Sequence, residues 1–190
     1  MNNQNNIRTV LNNHKIIPVV TFTNKADIQP IVESLLHQKI KCIEVTLRNS
    51  ISRDAVGEIK KVYGSKIAVG VGTVLKKSDV VFSQENNVDF MVSPGATKNL
   101  INEFENSKIP YLPGVSTVNN VMELLEMDCN TLKFFPALLS GGVNMLKQFN
   151  NLLKNVKFCP TGGINEFNYN EFLSLPNVVS VGGSWVIKNK

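Results

Sequence analysis

Between Ile16 and Gly183 the chain repeats one unit, a short apolar run followed by a longer stretch with helical spacing. Apolar runs open at Ile16 (IIPVVTF), Cys42 (CIEVTL), Ile67 (IAVGVG), Asp89 (DFMVSP), Ile109 (IPYLPG), Thr131 (TLKFFP), Val156 (VKFCPT) and Val178 (VVSVGG). Each has the length of a strand and is bounded by turn residues. Helical patterns fill the gaps at Ala26 to Gln38, Ser52 to Tyr63, Ser78 to Asn86, Thr97 to Asn106, Thr117 to Glu126, Gly142 to Leu153 and Asn165 to Leu173. Thr97, Thr117 and Asn165 stand where a helix start wants a side-chain acceptor. Eight strands, seven of them followed by a helix, predict an α/β fold: a parallel (β/α)8 TIM barrel, with an open doubly wound sheet as the alternative. No helical pattern follows the run at Val178, so the expected barrel lacks its C-terminal eighth helix and nothing downstream covers the outer face of that strand.

No linker, low-complexity tract or obvious internal sequence repeat interrupts this alternation, and the 190 residues suit a single domain over 1–190 with a sizeable core. Residues 1–15 form an N-terminal segment, in which Asn3 to Asn13 is long enough for a short helix but has a weak apolar pattern. The net charge is +5, yet the lysines are scattered, so the charge reads as a solvated surface and no nucleic-acid partner is expected. The opening MNNQNN lacks the apolar core of a signal peptide, and no run reaches membrane-spanning length. The expectation is a cytoplasmic protein without a membrane partner. Cys42, Cys129 and Cys159 are far apart, and His14 and His37 fall outside metal-ligand spacings, so no metal site and no cofactor are expected.

The unusual residues gather at the carboxyl ends of the strand runs, the face where a barrel of this kind carries its site. Glu44 and Arg48 lie at the second run, Thr73 after the third, Pro94 and Gly95 after the fourth, and Pro113 and Gly114 after the fifth. Lys133 sits inside the sixth, and Gly or Pro ending a strand explains neither it nor Glu44. Strand alternation sets Glu44 with Thr46 on one face and Lys133 with Phe135 on one face, both toward the barrel interior. A buried ammonium is unfavourable unless paired. Two readings follow: a structural ion pair, or a lysine nucleophile with a carboxylate proton shuttle. An amine attacks a carbonyl only when neutral; desolvation and a nearby cation favour that form, and Arg48 could supply the cation while gripping a substrate carboxylate. Gly162 with Gly163 and Gly182 with Gly183 would expose backbone N–H groups near helix starts after the last two strands, the usual barrel location for a phosphate.

Seven segments in order carry a family resemblance: EVTLR (Glu44 to Arg48), GTVL (Gly72 to Leu75), SPG (Ser93 to Gly95), PGVST (Pro113 to Thr117), KFFPA (Lys133 to Ala137), CPTGGI (Cys159 to Ile164) and GGSW (Gly182 to Trp185). Together they closely resemble the 2-keto-3-deoxy-6-phosphogluconate aldolases, which often also act on 4-hydroxy-2-oxoglutarate. The resemblance implies a class I, metal-independent aldehyde-lyase of carbohydrate metabolism, usually assembled as a homotrimer and acting on a phosphorylated keto acid. It implies the Schiff base on Lys133 and the acid/base role on Glu44. Arg48 and Thr73 would hold the pyruvate end, Pro94 and Phe135 would shape the pocket, and Thr161, Gly162, Gly163, Gly182, Gly183 and Ser184 would serve the hydroxyls and phosphate. Many relatives carry an arginine near the end of the first strand, where this chain reads PVVTF (Pro18 to Phe22). Two other classes stay open: a phosphosugar isomerase or epimerase that leaves Lys133 idle, and a non-catalytic ligand-binding remnant.

Overall fold

A computed structural model describes residues 3–187. Strands and helices alternate as expected: α1 (Asn3–Asn13), β1 (Ile16–Val20), α2 (Ile28–His37), β2 (Cys42–Thr46), α3 (Ser50–Tyr63), β3 (Ala68–Gly72), α4 (Lys77–Glu85), β4 (Phe90–Val92) and α5 (Lys98–Ser107). There follow β5 (Tyr111–Leu112), β6 (Gly114–Val115), α6 (Val118–Leu125), β7 (Thr131–Phe134), α7 (Gly142–Leu152), β8 (Lys157–Pro160), α8 (Tyr169–Leu173) and β9 (Val181–Gly183). The expected fifth strand is two short ones, because Pro113 has no N–H to give the ladder. All described pairings are parallel. They form a curled six-stranded sheet in the order β5-β4-β3-β2-β1-β9 and a three-stranded sheet β6-β7-β8, instead of the uninterrupted eight-stranded ring expected. Isolated bridges, Phe158 to Val178 and Thr161 to Gly182, link the strand regions of β8 and β9.

Local chemistry sets most helix starts. Thr97 and Thr117 cap α5 and α6, accepting from the N–H groups of Leu100 and Asn120, each at 3.2 Å. Asn49, and not a residue nearer Ser52, caps α3 by accepting from Ser52 N at 2.8 Å. Asn165 does not cap a helix: its side chain accepts from Phe167 N at 2.9 Å within a turn, and α8 begins only at Tyr169. Asparagine satisfies both kinds of turn, so sequence alone cannot separate them.

The strands divide their side chains cleanly. Ile43 and Val45 of β2 and Leu132 and Phe134 of β7 point outward into the main core beneath the helices. There Phe134, Phe149 of α7 and Phe158 of β8 pack at 5.2 to 6.4 Å between ring centres, which holds α7 on the sheet. Truncating Phe149 to alanine would cost about 3–5 kcal/mol. Glu44 and Lys133 alternate with these and face the interior. The interior is closed at the strands' amino ends by α1, whose Ile7 and Leu11 meet Ile17, Phe90, Leu112 and Cys159 in a second cluster. The weak apolar pattern of α1 has a cause: part of its buried face is polar and bonded to strand ends. Gln4 accepts from Thr131 N at 2.9 Å, and Arg8 donates to Thr131 Oγ1 at 3.0 Å.

The outer face of the last strand is not left bare. Val178 and Val181 are buried in the main core with Phe172, Leu175 and Val186. Gln38, capping α2, donates to the Val186 carbonyl at 3.3 Å and so ties the segment after β9 to that helix.

Candidate active site

Lys133 and Glu44 come together inside the sheet from opposite sides of the interior. Lys133 Nζ donates to Glu44 Oε1 at 3.1 Å, with Oε2 at 3.5 Å. The residues are 5% and 3% exposed, and no other described ion pair has both partners so deeply buried. Breaking such a pair by removing one partner leaves an uncompensated buried charge. The space for the carboxylate comes from β3: a Cβ on Gly72 would stand 2.1 Å from Glu44 Oε1. The ring centre of Phe135 lies 5.4 Å from Nζ, within cation–π range.

Arg48 and Thr73 stand next to one another at the mouth. Arg48 is exposed, and its Nε donates to Thr73 Oγ1 at 3.4 Å. Thr73 adopts a left-handed backbone at φ +60, unusual for a β-branched residue. Such a conformation costs about 1–2 kcal/mol. Strain of this kind persists where the surroundings enforce it, and it clusters at functional sites. Pro94 is half-buried at the end of β4, and its carbonyl presses on β6 closely enough that a Cβ on Gly114 would meet it at 2.2 Å.

Across the mouth, Thr161 is buried and pairs with Gly182, where an added Cβ would stand 2.4 Å from Thr161 Oγ1. Gly162 and Gly163 follow with φ of +101 and +80, a turn only glycine makes readily. The expected helix starts are not there. Helix α8 begins at Tyr169, well past Gly163, and no described helix follows Gly183. Any anion at these positions would meet turn and strand-end groups, without a helix dipole. Ser184 is exposed and lines a cleft of about 310 Å³ with Thr21, Thr23 and Asp27. Thr21 shares a hydroxyl hydrogen bond of 2.6 Å with buried Thr46, one step along β2 from the Glu44 level.

Sequence reasoning gave Thr21, Gly72 and Cys159 no role in the site, although Gly72 and Cys159 open two of the segments that carry the resemblance. The G-x-G spacing of β3 was the available signal for Gly72, since alternate glycines empty one face of a strand. Cys159 sits in register beside Lys133 across β7 and β8. Burial pushes its thiol up to about 12, the Lys133 charge opposing and the Glu44 charge reinforcing the shift. All three cysteines are free and buried. Among the described residues, no group of three or more His, Cys, Asp or Glu is placed to hold a metal ion, and no helix is long and apolar enough to cross a membrane.

The family description for KDPG and KHG aldolases matches residues 7–190. The 2-dehydro-3-deoxy-phosphogluconate aldolase of Zymomonas mobilis is 37% identical over 181 residues, covering 95% of this chain and 86% of that protein. The crystal structure of a Legionella pneumophila KDPG aldolase, with pyruvate captured as a covalent carbinolamine intermediate, superposes with a TM-score of 0.92 at 38% identity, over 96% of this chain and 88% of that one. The Zymomonas mobilis ZM4 2-keto-3-deoxy-6-phosphogluconate aldolase with 3-phosphoglycerate superposes with a TM-score of 0.93 at 36% identity, over 98% of this chain and 88% of that one.

Proposed function

This chain belongs to the KDPG and KHG aldolase family, and from that premise we infer that it is a class I aldolase with its Schiff base on Lys133. It cleaves 2-keto-3-deoxy-6-phosphogluconate to pyruvate and glyceraldehyde 3-phosphate, the aldol step of the Entner–Doudoroff pathway. By the same chemistry it cleaves 4-hydroxy-2-oxoglutarate to pyruvate and glyoxylate. The observation that carries the mechanism is the buried contact of 3.1 Å between Lys133 Nζ and Glu44 Oε1.

An ammonium at that distance can pass its proton to the carboxylate, leaving a neutral amine and a carboxylic acid. The amine attacks the C2 carbonyl of the keto acid to form a carbinolamine. Glu44 returns its proton to the departing hydroxyl, water leaves, and an iminium remains. Glu44, again a carboxylate, then takes the C4 hydroxyl proton through a water. The C3–C4 bond breaks, its electron pair flows into the iminium, and the aldehyde departs. Protonation of the resulting enamine at C3 and hydrolysis release pyruvate and regenerate the lysine. One carboxylate thus serves as base, acid and base in turn, which its contact with the nucleophile supports.

Arg48 and Thr73 receive the keto acid's carboxylate, Arg48 by a forked contact. Pro94 and Phe135 bound the pyruvate portion. Thr161, Gly162, Gly163, Gly182, Gly183 and Ser184 take the hydroxyls and phosphate, with glycine turns that allow backbone N–H groups to approach an anion. The two sheets act as one (β/α)8 barrel wall, a reading supported by the bridges between β8 and β9 and by the short step across Pro113. Residues 1–190 work as one domain. The enzyme is a cytoplasmic homotrimer, for which the free cysteines and the exposed side chains of Leu139 and Phe167, 89% and 90% exposed, speak.

Borohydride tests the mechanism, because it reduces an iminium to a stable amine. Pyruvate with borohydride should inactivate the enzyme irreversibly and label Lys133, and Lys133→Met should abolish both effects. Label on another lysine, or none, overturns the mechanism.

A further inference from the structure

Asp79 and Arg53 take no part in the chemistry above, yet they join the two segments that carry Arg48 and Thr73. Asp79, in the first turn of α4, is only 3% exposed. Its Oδ2 accepts from the Leu75 backbone N–H at 3.1 Å, two residues beyond Thr73. Its Oδ1 accepts from Arg53 Nη2 at 2.5 Å. Arg53 belongs to α3, the helix that begins two residues after Arg48, and its guanidinium lies 4.9 Å from the centre of the Phe82 ring on α4. One buried carboxylate therefore grips the loop of Thr73 and is itself gripped by the helix that follows Arg48.

We propose that the Asp79–Arg53 pair is a positioning device that sets the spacing of Arg48 and Thr73 around the substrate's carboxylate. A threonine at φ +60 relaxes unless neighbouring contacts hold it there. On its C-terminal side those contacts are the bond from Leu75 N–H to Asp79 and one from Val74 N–H to the Val92 carbonyl at 3.1 Å. Releasing the first frees the loop to move Thr73 Oγ1 away from Arg48. The inference rests on the reading of Arg48 and Thr73 as the carboxylate-binding end.

The molecule contains its own control. Asp89 makes the same kind of junction at the opposite end of β3, accepting from Val69 N–H at 2.7 Å and pairing with Lys60 of α3 at 3.0 Å. It ties α3 to the strand as Asp79 does, but far along the strand from Arg48 and Thr73. The Asp89 side chain is 40% exposed against 5% for Asp79, so the two junctions differ in stability contribution, but a purely structural role predicts that neither moves half-saturation by pyruvate.

The experiment measures the pyruvate concentration that half-saturates borohydride inactivation, with melting temperatures alongside. Asp79→Asn and Arg53→Met should each raise that concentration by about 3- to 10-fold while the saturating inactivation rate stays within about twofold. Arg53→Lys should recover most of the loss, and Asp89→Asn should lower the melting temperature without moving half-saturation. In an Arg48→Ala background, Asp79→Asn should add nothing further. If Arg48→Ala raises half-saturation but Asp79→Asn and Arg53→Met do not, or if Asp89→Asn raises it equally, the positioning role is refuted alone. If Arg48→Ala itself has no effect, the carboxylate-end reading falls and takes the inference with it. Should Asp79→Asn fail to fold, the Arg53 pair of variants decides the matter.

Discussion

Gly72→Ala separates the acid/base role of Glu44 from its role as a buried ionic partner. The added Cβ would stand 2.1 Å from Glu44 Oε1, 2.8 Å from Cδ and 2.9 Å from Cγ. Ordinary contact begins at 3.4 Å, so the carboxylate oxygen must withdraw by about 1.3 Å. Lys133 Nζ lies 3.1 and 3.5 Å from the two oxygens, the second at the limit of hydrogen-bond reach, so a displacement of that size disturbs the contact. Misplacing a catalytic group by about 1 Å slows turnover by about 10²-fold. The expected result is therefore a kcat about 10²-fold below wild type, with both charges still present. Gly70→Ala is the control. Its Cβ would stand 2.2 Å from the Phe90 ring, in the apolar layer below the site. Overpacking there should destabilise by about 1–3 kcal/mol and leave kcat within about threefold. Pyruvate release followed by a coupled dehydrogenase assay at saturating substrate, together with thermal melts, reads both quantities. A Gly72→Ala enzyme within about threefold of wild-type kcat would refute the reasoning, as would an equal kcat loss in Gly70→Ala.

Glu44→Gln should slow turnover by about 10²-fold or more while slow trapping of pyruvate on Lys133 persists; normal turnover would make Glu44 structural. Phosphorylated substrate should exceed 4-hydroxy-2-oxoglutarate in kcat/KM and Ser184→Ala should erode the difference, whereas equal efficiencies in the wild type would count against a phosphate site. The cysteines should resist a thiol reagent at pH 8 until the protein unfolds. Burial pushes Cys159 up to about 12 and Cys129 to about 11, from an unfolded value of 9.0. The unfolded chain therefore releases these protons first, and stability should fall as pH rises from about 9 towards 12. Rapid labelling of the folded protein, or stability flat across that range, would contradict this.

The placement of the candidate site was legible in the sequence wherever a residue violated its local pattern. Lys133 and Glu44 are charges inside apolar strands, and strand alternation was enough to aim both inward. The glycine turn at Gly162 and Gly163 likewise announced itself through composition. Less legible was whatever depended on contacts distant in the chain. Helix α1 hid its packing face because Gln4 and Arg8 bury by bonding to Thr131, not by being apolar. Asp79 carries no local signal in the sequence, and only the fold brings Arg53 and Leu75 N–H to it. The cover over the last strand came from segments on both sides of it, α8 before and the Val186 segment after, which a search for a following helix could not find.

Burial also divides the site in a way that bears on what can vary. The proposed reacting pair, Glu44 and Lys133, lies 3% and 5% exposed in the interior between the two sheets, where a displaced charge is left without water. Arg48 and Ser184 are exposed at the mouth, on loops, where a substitution alters a contact without stranding a charge. The steps proposed at Lys133 need only a carbonyl, a nearby carboxylate and a hydroxyl two carbons away. They are indifferent to what the aldehyde carries beyond that hydroxyl. Discrimination between a phosphorylated aldehyde and glyoxylate must therefore come from the mouth, where Thr21, Thr23, Asp27 and Ser184 share one cleft. Asp27 lines that cleft, and its carboxylate would repel a phosphate dianion bound there more than the single distal carboxylate of 4-hydroxy-2-oxoglutarate. Asp27→Asn should consequently raise kcat/KM for the phosphorylated substrate by more than it raises that for 4-hydroxy-2-oxoglutarate. Equal changes on both substrates would show that the cleft takes no part in the choice.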